Sequence, residues 1–92
     1  MTKKERLELF CYGLTLPEIR NNLTHSVKEI VDRINNFMDG DINKFDELLQ
    51  GTMTITIQEY PNKNNQDILY LSYAALYGAF DNDYFYNKMV IK

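Results

Sequence analysis

The sequence predicts an α+β domain, mainly helical. A unit of three or four helices spans residues 1–50, and a strand-rich, tyrosine-rich part over 51–92 forms a small β-hairpin or meander. Three observations predict it. Apolar residues recur at helical spacing through the first fifty positions. Thr52 to Tyr60 alternates strictly between apolar and polar, the period of a half-buried strand. Pro61-Asn62-Lys63-Asn64-Asn65-Gln66 has the length and composition of a hairpin connection. Ninety-two residues make one domain spanning 1–92, and an apolar fraction of 45% suffices for a single core.

The elements follow in order. Residues 3–12 read as a helix with Leu7, Phe10 and Cys11 on one face, stopped by Gly13. Thr15 is placed as the N-cap of a second, short helix over 16–23, with Pro17 in its first turn and Glu18 at capping-box spacing. Leu16, Ile19 and Leu23 form its apolar stripe. Thr24-His25 breaks the chain. Ser26 caps a third helix running to about Met38, with Glu29 at the box position and Val27, Ile30, Val31 and Ile34 in register. After a turn at Asp39-Gly40-Asp41, Ile42 to Gln50 reads as a fourth helix closed by Gly51.

The second half reads differently. Met53, Ile55 and Ile57 share one face of the expected strand, with Thr54 and Thr56 on the other. Ile68 to Tyr73 fits either a partner strand or the opening of a helix through Phe80, the strand being favoured by the loop before it. Asp81-Asn82-Asp83 turns the chain, and Tyr84 to Ile91 reads as a last strand.

Composition excludes several classes of function. Ten Lys and Arg against thirteen Asp and Glu give net −3, so no overall basic field draws nucleic acid or anionic lipid. The single Cys11 forms no internal disulfide, which suits a reducing, cytoplasmic setting, and its apolar neighbours mark it as structural. No stretch approaches the roughly 20 apolar residues that cross a bilayer, so no membrane is expected. One histidine and one cysteine are too few for a His/Cys metal centre. Asp39-Gly40-Asp41-Ile42-Asn43-Lys44 imitates a calcium loop but places Lys44 and Gln50 where that loop needs Gly and Glu. His25 has no evident nucleophile beside it, and no glycine-rich phosphate loop is present. The expectation is a non-enzyme without cofactor or metal. Asn, Lys, Ile, Tyr and Phe supply 37 of the 92 residues, a bias toward A/T-rich codons that points to a low-GC bacterial genome or a mobile element in one.

Gly13, Leu14-Thr15, Glu18-Ile19, Leu23, Ser26, Ile30 and Ile34 stand at the spacing of two short crossing helices. Over residues 9–37 this pattern resembles the helix-turn-helix of sigma-factor region 4 and related bacterial response regulators. The resemblance implies a DNA reader, its partner being double-stranded DNA with two half-sites bound by a homodimer. Ser26, Lys28 and Arg33 would face the groove, and Lys3 and Lys4 the phosphates. The chain departs from the family at Arg20, where a small residue is usual, and at Thr24-His25 in the turn. Glu29 and Asp32 offset Lys28 and Arg33 on the reading face, which removes much of the charge that phosphate binding needs.

The last third points elsewhere. Tyr60, Tyr70, Tyr73, Tyr77, Tyr84 and Tyr86 concentrate there, flanked by Asp81 and Asp83. Tyrosine combines a large contact area with a polar tip and is enriched at protein interfaces. Asp81, Asp83, Tyr84 and Tyr86 are therefore the expected contacts to a protein with a basic surface. In size and composition the chain also resembles the small inhibitors of host machinery made by phages and mobile elements, anti-CRISPR proteins among them. The leading expectation is a regulatory or inhibitory protein that binds a host protein, with sequence-specific DNA binding as the alternative.

Overall fold

The computed structural model describes residues 1–90, and among these the chain forms six helices and no strand: α1 Lys3–Gly13, α2 Pro17–Arg20, α3 Val27–Met38, α4 Ile42–Glu59, α5 Asn65–Asp81 and α6 Asp83–Val90. The predicted C-terminal hairpin is replaced by helices, and the fold is all-α.

The first half follows the reading of the sequence in most respects. Thr2 and Glu5 close a capping box on α1: the Glu5 N–H donates to Thr2 Oγ1 at 3.1 Å and the Thr2 N–H to Glu5 Oε1 at 3.0 Å. Ser26 caps α3, accepting from the Glu29 N–H at 3.2 Å. The short second helix differs. It is one turn, Leu16 occupies its N-cap with no side-chain bond, and Thr15 turns its hydroxyl back to the Tyr12 carbonyl at 2.7 Å. Between α3 and α4, Asp39 (φ 49°) and Gly40 (φ 80°) are both left-handed, and Asp41 Oδ1 accepts from the Asn43 N–H at 3.0 Å to start α4.

The correction begins at Gly51, where α4 continues to Glu59 through the expected strand. The threonines that argued for β structure are accommodated by the helix itself. Thr52, Thr54 and Thr56 donate to the carbonyls of Leu48, Gln50 and Thr52 at 2.8, 3.0 and 2.8 Å. Period-two alternation fails as a guide to burial. Ile55 and Ile57 are 58% and 51% exposed, whereas Thr56, placed on the polar face, is buried against Ser72 with their hydroxyls 3.1 Å apart. Phe45, Leu49, Met53 and Thr56 instead form a stripe of helical period.

The region 68–73 is helical too. Asn64 caps α5 by accepting from the Asp67 N–H at 2.8 Å, and Ile68, Leu69, Ser72, Tyr73, Leu76, Tyr77 and Phe80 form one continuous buried face. The expected last strand is α6 over its described part, started by Asn82 Oδ1 accepting from the Phe85 N–H at 3.1 Å; Ile91 lies outside the described residues. The loop at 60–64 thus joins two helices that pack extensively, α4 and α5, in place of two strands.

The core is built on Phe10. Its ring lies 4.4 Å from Tyr77, 5.1 Å from Phe45 and 5.2 Å from Tyr73, centroid to centroid. Both tyrosines enter with their hydroxyls satisfied by α1: Tyr73 donates to the Arg6 carbonyl at 2.8 Å and Tyr77 to the Phe10 carbonyl at 2.7 Å. Burial pushes the Tyr73 hydroxyl up to about 12 and that of Tyr77 still higher. A Cβ at Gly13 would occupy the position of the Tyr77 hydroxyl, so this glycine is required by close approach. Arg6 ties α1 to α4 through Asp46, with Nε and Nη2 at 2.9 and 2.7 Å from Oδ1. No helix among the described residues is long and apolar enough to cross a membrane.

Candidate functional site

The four residues expected to contact a protein separate into two pairs. Asp81 and Tyr86 serve the fold. Asp81, at the end of α5, accepts from the Thr24 N–H at 2.9 Å, the His25 N–H at 2.9 Å and His25 Nδ1 at 2.9 Å. Its burial raises the carboxyl's pKa, but the Thr24 and His25 hydrogen bonds outweigh that and hold it down at about 2. Tyr86 lies beneath Arg33, whose guanidinium carbon is 4.6 Å from the ring centroid, and its hydroxyl accepts from Asn36 Nδ2 at 3.4 Å. Asp83 and Tyr84 face solvent. Asp83 accepts from Arg33 Nη2 at 2.6 Å, and this bond lowers its pKa. Tyr84 carries Lys88 over its ring at 4.6 Å.

Of the residues assigned to DNA, Arg33 is committed internally. Its Nη1 donates to the Phe80 carbonyl at 2.8 Å and its Nη2 bonds Asp83. Ser26 is a helix cap, and Lys3 donates to Asn43 Oδ1 at 2.6 Å. Lys28 is exposed and pairs with Asp32 one turn on, at 3.1 Å. Lys4 is exposed on α1.

His25 sits where the α2–α3 turn meets the joint of α5 and α6. Its Nδ1 is 2.9 Å from Asp81 Oδ1, and Nε2 is 3.0 Å from Arg33 Nη2, which can only donate. The Asp81–His25 pair has the geometry of two members of a hydrolytic triad, but Nε2 meets a guanidinium and, at 3.2 Å, Asp83 Oδ1. No described hydroxyl or thiol bonds Nε2, and the cluster pins the turn to α5 and α6. Among the described residues no group of three or more His, Cys, Asp or Glu side chains is placed to hold a metal ion.

An apolar groove was not read from the sequence. α1, α2 and α5 enclose a groove of about 320 Å³, walled by Leu9, Tyr12, Leu16, Ile19, Tyr70 and Ala74. Tyr12 and Tyr70 are 62% and 50% exposed. A second hollow shares Ile19, Ala74 and Tyr77 and extends the groove past Leu23 and Gly78. α5, 17 residues long, therefore presents an outer face of about 25 Å.

The hydrogen-bonding groups on the floor of the groove are already used. The Tyr73 and Tyr77 hydroxyls bind α1 carbonyls, and the N–H groups of Leu14, Thr15 and Leu16 bond Cys11, Tyr12 and Gly13 carbonyls at 3.0–3.2 Å. Glu18 is the only charged residue among the described residues lining the 320 Å³ groove. The signal for this surface was present in Tyr12 and Tyr70, aromatic residues one turn from Leu9 and Ala74 on their helices. Compared with known proteins, the chain matches no family, and no curated protein or solved structure is significantly similar to it.

Proposed function

We propose that the chain is a small non-enzymatic regulator or inhibitor, of the phage or mobile-element kind, that works by binding a protein. The tyrosine-walled groove of α1, α2 and α5 receives an amphipathic helix of the partner. The observation that carries this reading is the chemistry of that groove: two half-exposed tyrosines over an apolar floor whose polar groups are internally bonded. Such a floor offers nothing to the backbone of an extended peptide. A helix meets its own backbone hydrogen bonds and brings only side chains, so it is the ligand that fits. A basic residue on that helix complements Glu18, and the net charge of −3 steers a basic partner toward the surface.

DNA binding through α3 is less well supported, because Arg33 is held by the Phe80 carbonyl and Asp83. The test is affinity capture on the immobilised full chain, identification of the retained protein, and a titration with that protein purified. Tyr12→Ala with Tyr70→Ala lowers affinity by at least about tenfold, as loss of interfacial tyrosines does, while Tyr84→Ala changes it less than about twofold. Full affinity in the groove double variant overturns the reading. So does a chain that retains no protein but shifts DNA in a Lys28-dependent manner, or one whose only partner is a second copy of itself.

A further inference from the structure

A second, larger concavity lies elsewhere, at the corner where α3 turns into α4, with α6 beside it. It encloses about 790 Å³. Phe37, Leu48 and Met89 contribute its apolar surface, each also packed against the core. Asp39, Asp41 and Glu47 rim it, against Lys44 as the one base among the described lining residues. The fold leaves these carboxylates largely unspent. Asp41 gives one oxygen to the Asn43 N–H, and none of the three forms an ion pair among the described residues. They are not grouped to hold a metal ion. Separated carboxylates around an apolar floor match a ligand whose cations are themselves separated by apolar side chains.

We infer that this hollow binds a cationic amphipathic helix, its apolar side chains on Phe37, Leu48 and Met89 and its Lys or Arg residues among Asp39, Asp41 and Glu47. The site stands apart from the tyrosine groove, and neither inference depends on the other. A protein with both surfaces engages two segments of a partner, or two partners.

The experiment is a backbone amide NMR titration of the full chain with a synthetic 18-residue helix of leucine and lysine, and with the same helix carrying glutamate for lysine. Shifts from the lysine peptide centre on residues 36–48 and on α6, and affinity falls at least about threefold when salt is raised from about 0.02 to 0.3 M. The glutamate peptide does not bind there. Asp39→Asn with Glu47→Gln weakens the lysine peptide by at least about threefold, since each exposed ion pair contributes modestly. Asparagine tolerates the left-handed conformation at position 39, so this variant keeps its fold, which a circular dichroism spectrum verifies. Equal binding of the two peptides, shifts confined to α1, α2 and α5, or a folded double variant with full affinity each overturn the inference.

Discussion

Neutralising Asp81 tests the reading of the His25 cluster as a structural clamp. The carboxylate is mostly shielded from solvent and accepts from two backbone N–H groups, the Thr24 hydroxyl and the His25 ring. Its pKa falls from an ordinary 3.8 to about 2. At about 1.4 kcal/mol per pH unit the shift is worth somewhat over 2 kcal/mol, reduced to about 1–2 kcal/mol by residual solvent screening. Because the folded-state value is depressed, this stability is present above the unfolded pKa and is lost as pH falls through the folded one. Asp81→Asn keeps the shape and one acceptor oxygen but removes the charge. Urea denaturation followed by circular dichroism at pH 7 should show the variant less stable by about 1–2 kcal/mol. The gap between the two proteins narrows steadily from about pH 5 and closes only below the folded-state pKa of about 2, where both carry a neutral group. Asp81→Ala orphans the Thr24 and His25 N–H groups and costs more, about 2–4 kcal/mol. A gap between wild type and Asp81→Asn that stays constant with pH would refute the argument, as the residue would then act through shape alone.

Three further outcomes follow from the packing. Gly13→Ala lowers stability by about 1–3 kcal/mol through the clash with the Tyr77 hydroxyl, and costs less in a Tyr77→Phe background, as a double-mutant cycle in urea reads directly. Ile55→Lys and Ile57→Lys each stay within about 0.5 kcal/mol of wild type in thermal melts, because α4 turns both side chains to solvent, while Leu49→Ala loses about 2–5 kcal/mol. Burial pushes the Cys11 thiol up, so its alkylation by iodoacetamide at pH 8 runs slower than that of a free cysteine and accelerates in urea.

The helices whose apolar residues repeat at 3.6 spacing and whose caps are local were legible in the sequence. α3 is the clearest case, with Ser26 fixing its start and Ile30 and Ile34 its buried face. Residues 52–59 were not legible, because alternation of β-branched residues satisfies the strand template while the helix pattern of Phe45, Leu49, Met53 and Thr56 crosses the apparent break at Gly51. β-propensity there amounts to a local preference of at most about 1 kcal/mol per residue, and packing of α4 against α5 outweighs it. For 68–80 both periods fit the first residues, and only the full run to Phe80 separates them. The cluster at the α5–α6 joint was half legible. Asp81 and Asp83 stood out as an acidic pair, but that Asp81 faces Thr24 and His25, 57 and 56 residues away, is a property of the tertiary fold.

That misassignment bears on where function should be sought. Had 52–60 been a strand, Met53, Ile55 and Ile57 would have gone together to the core. In a helix the three diverge: Met53 packs inward, and Ile55 and Ile57 join Tyr60 on the exposed surface. The tyrosines divide by the same rule. Tyr73 and Tyr77, one turn apart on α5, carry the core, and Tyr70, on the neighbouring row, walls the groove. Aromatic density in the sequence therefore reflected two roles at once, and helical phase assigns each ring to one of them. Substitutions on the Tyr70 row should accordingly alter binding at constant stability, and those on the Tyr73–Tyr77 row should alter stability first. Measuring both quantities for Tyr70→Ala and Tyr73→Phe decides the matter: a Tyr70→Ala variant that loses more stability than Tyr73→Phe would mean that the groove wall belongs to the core.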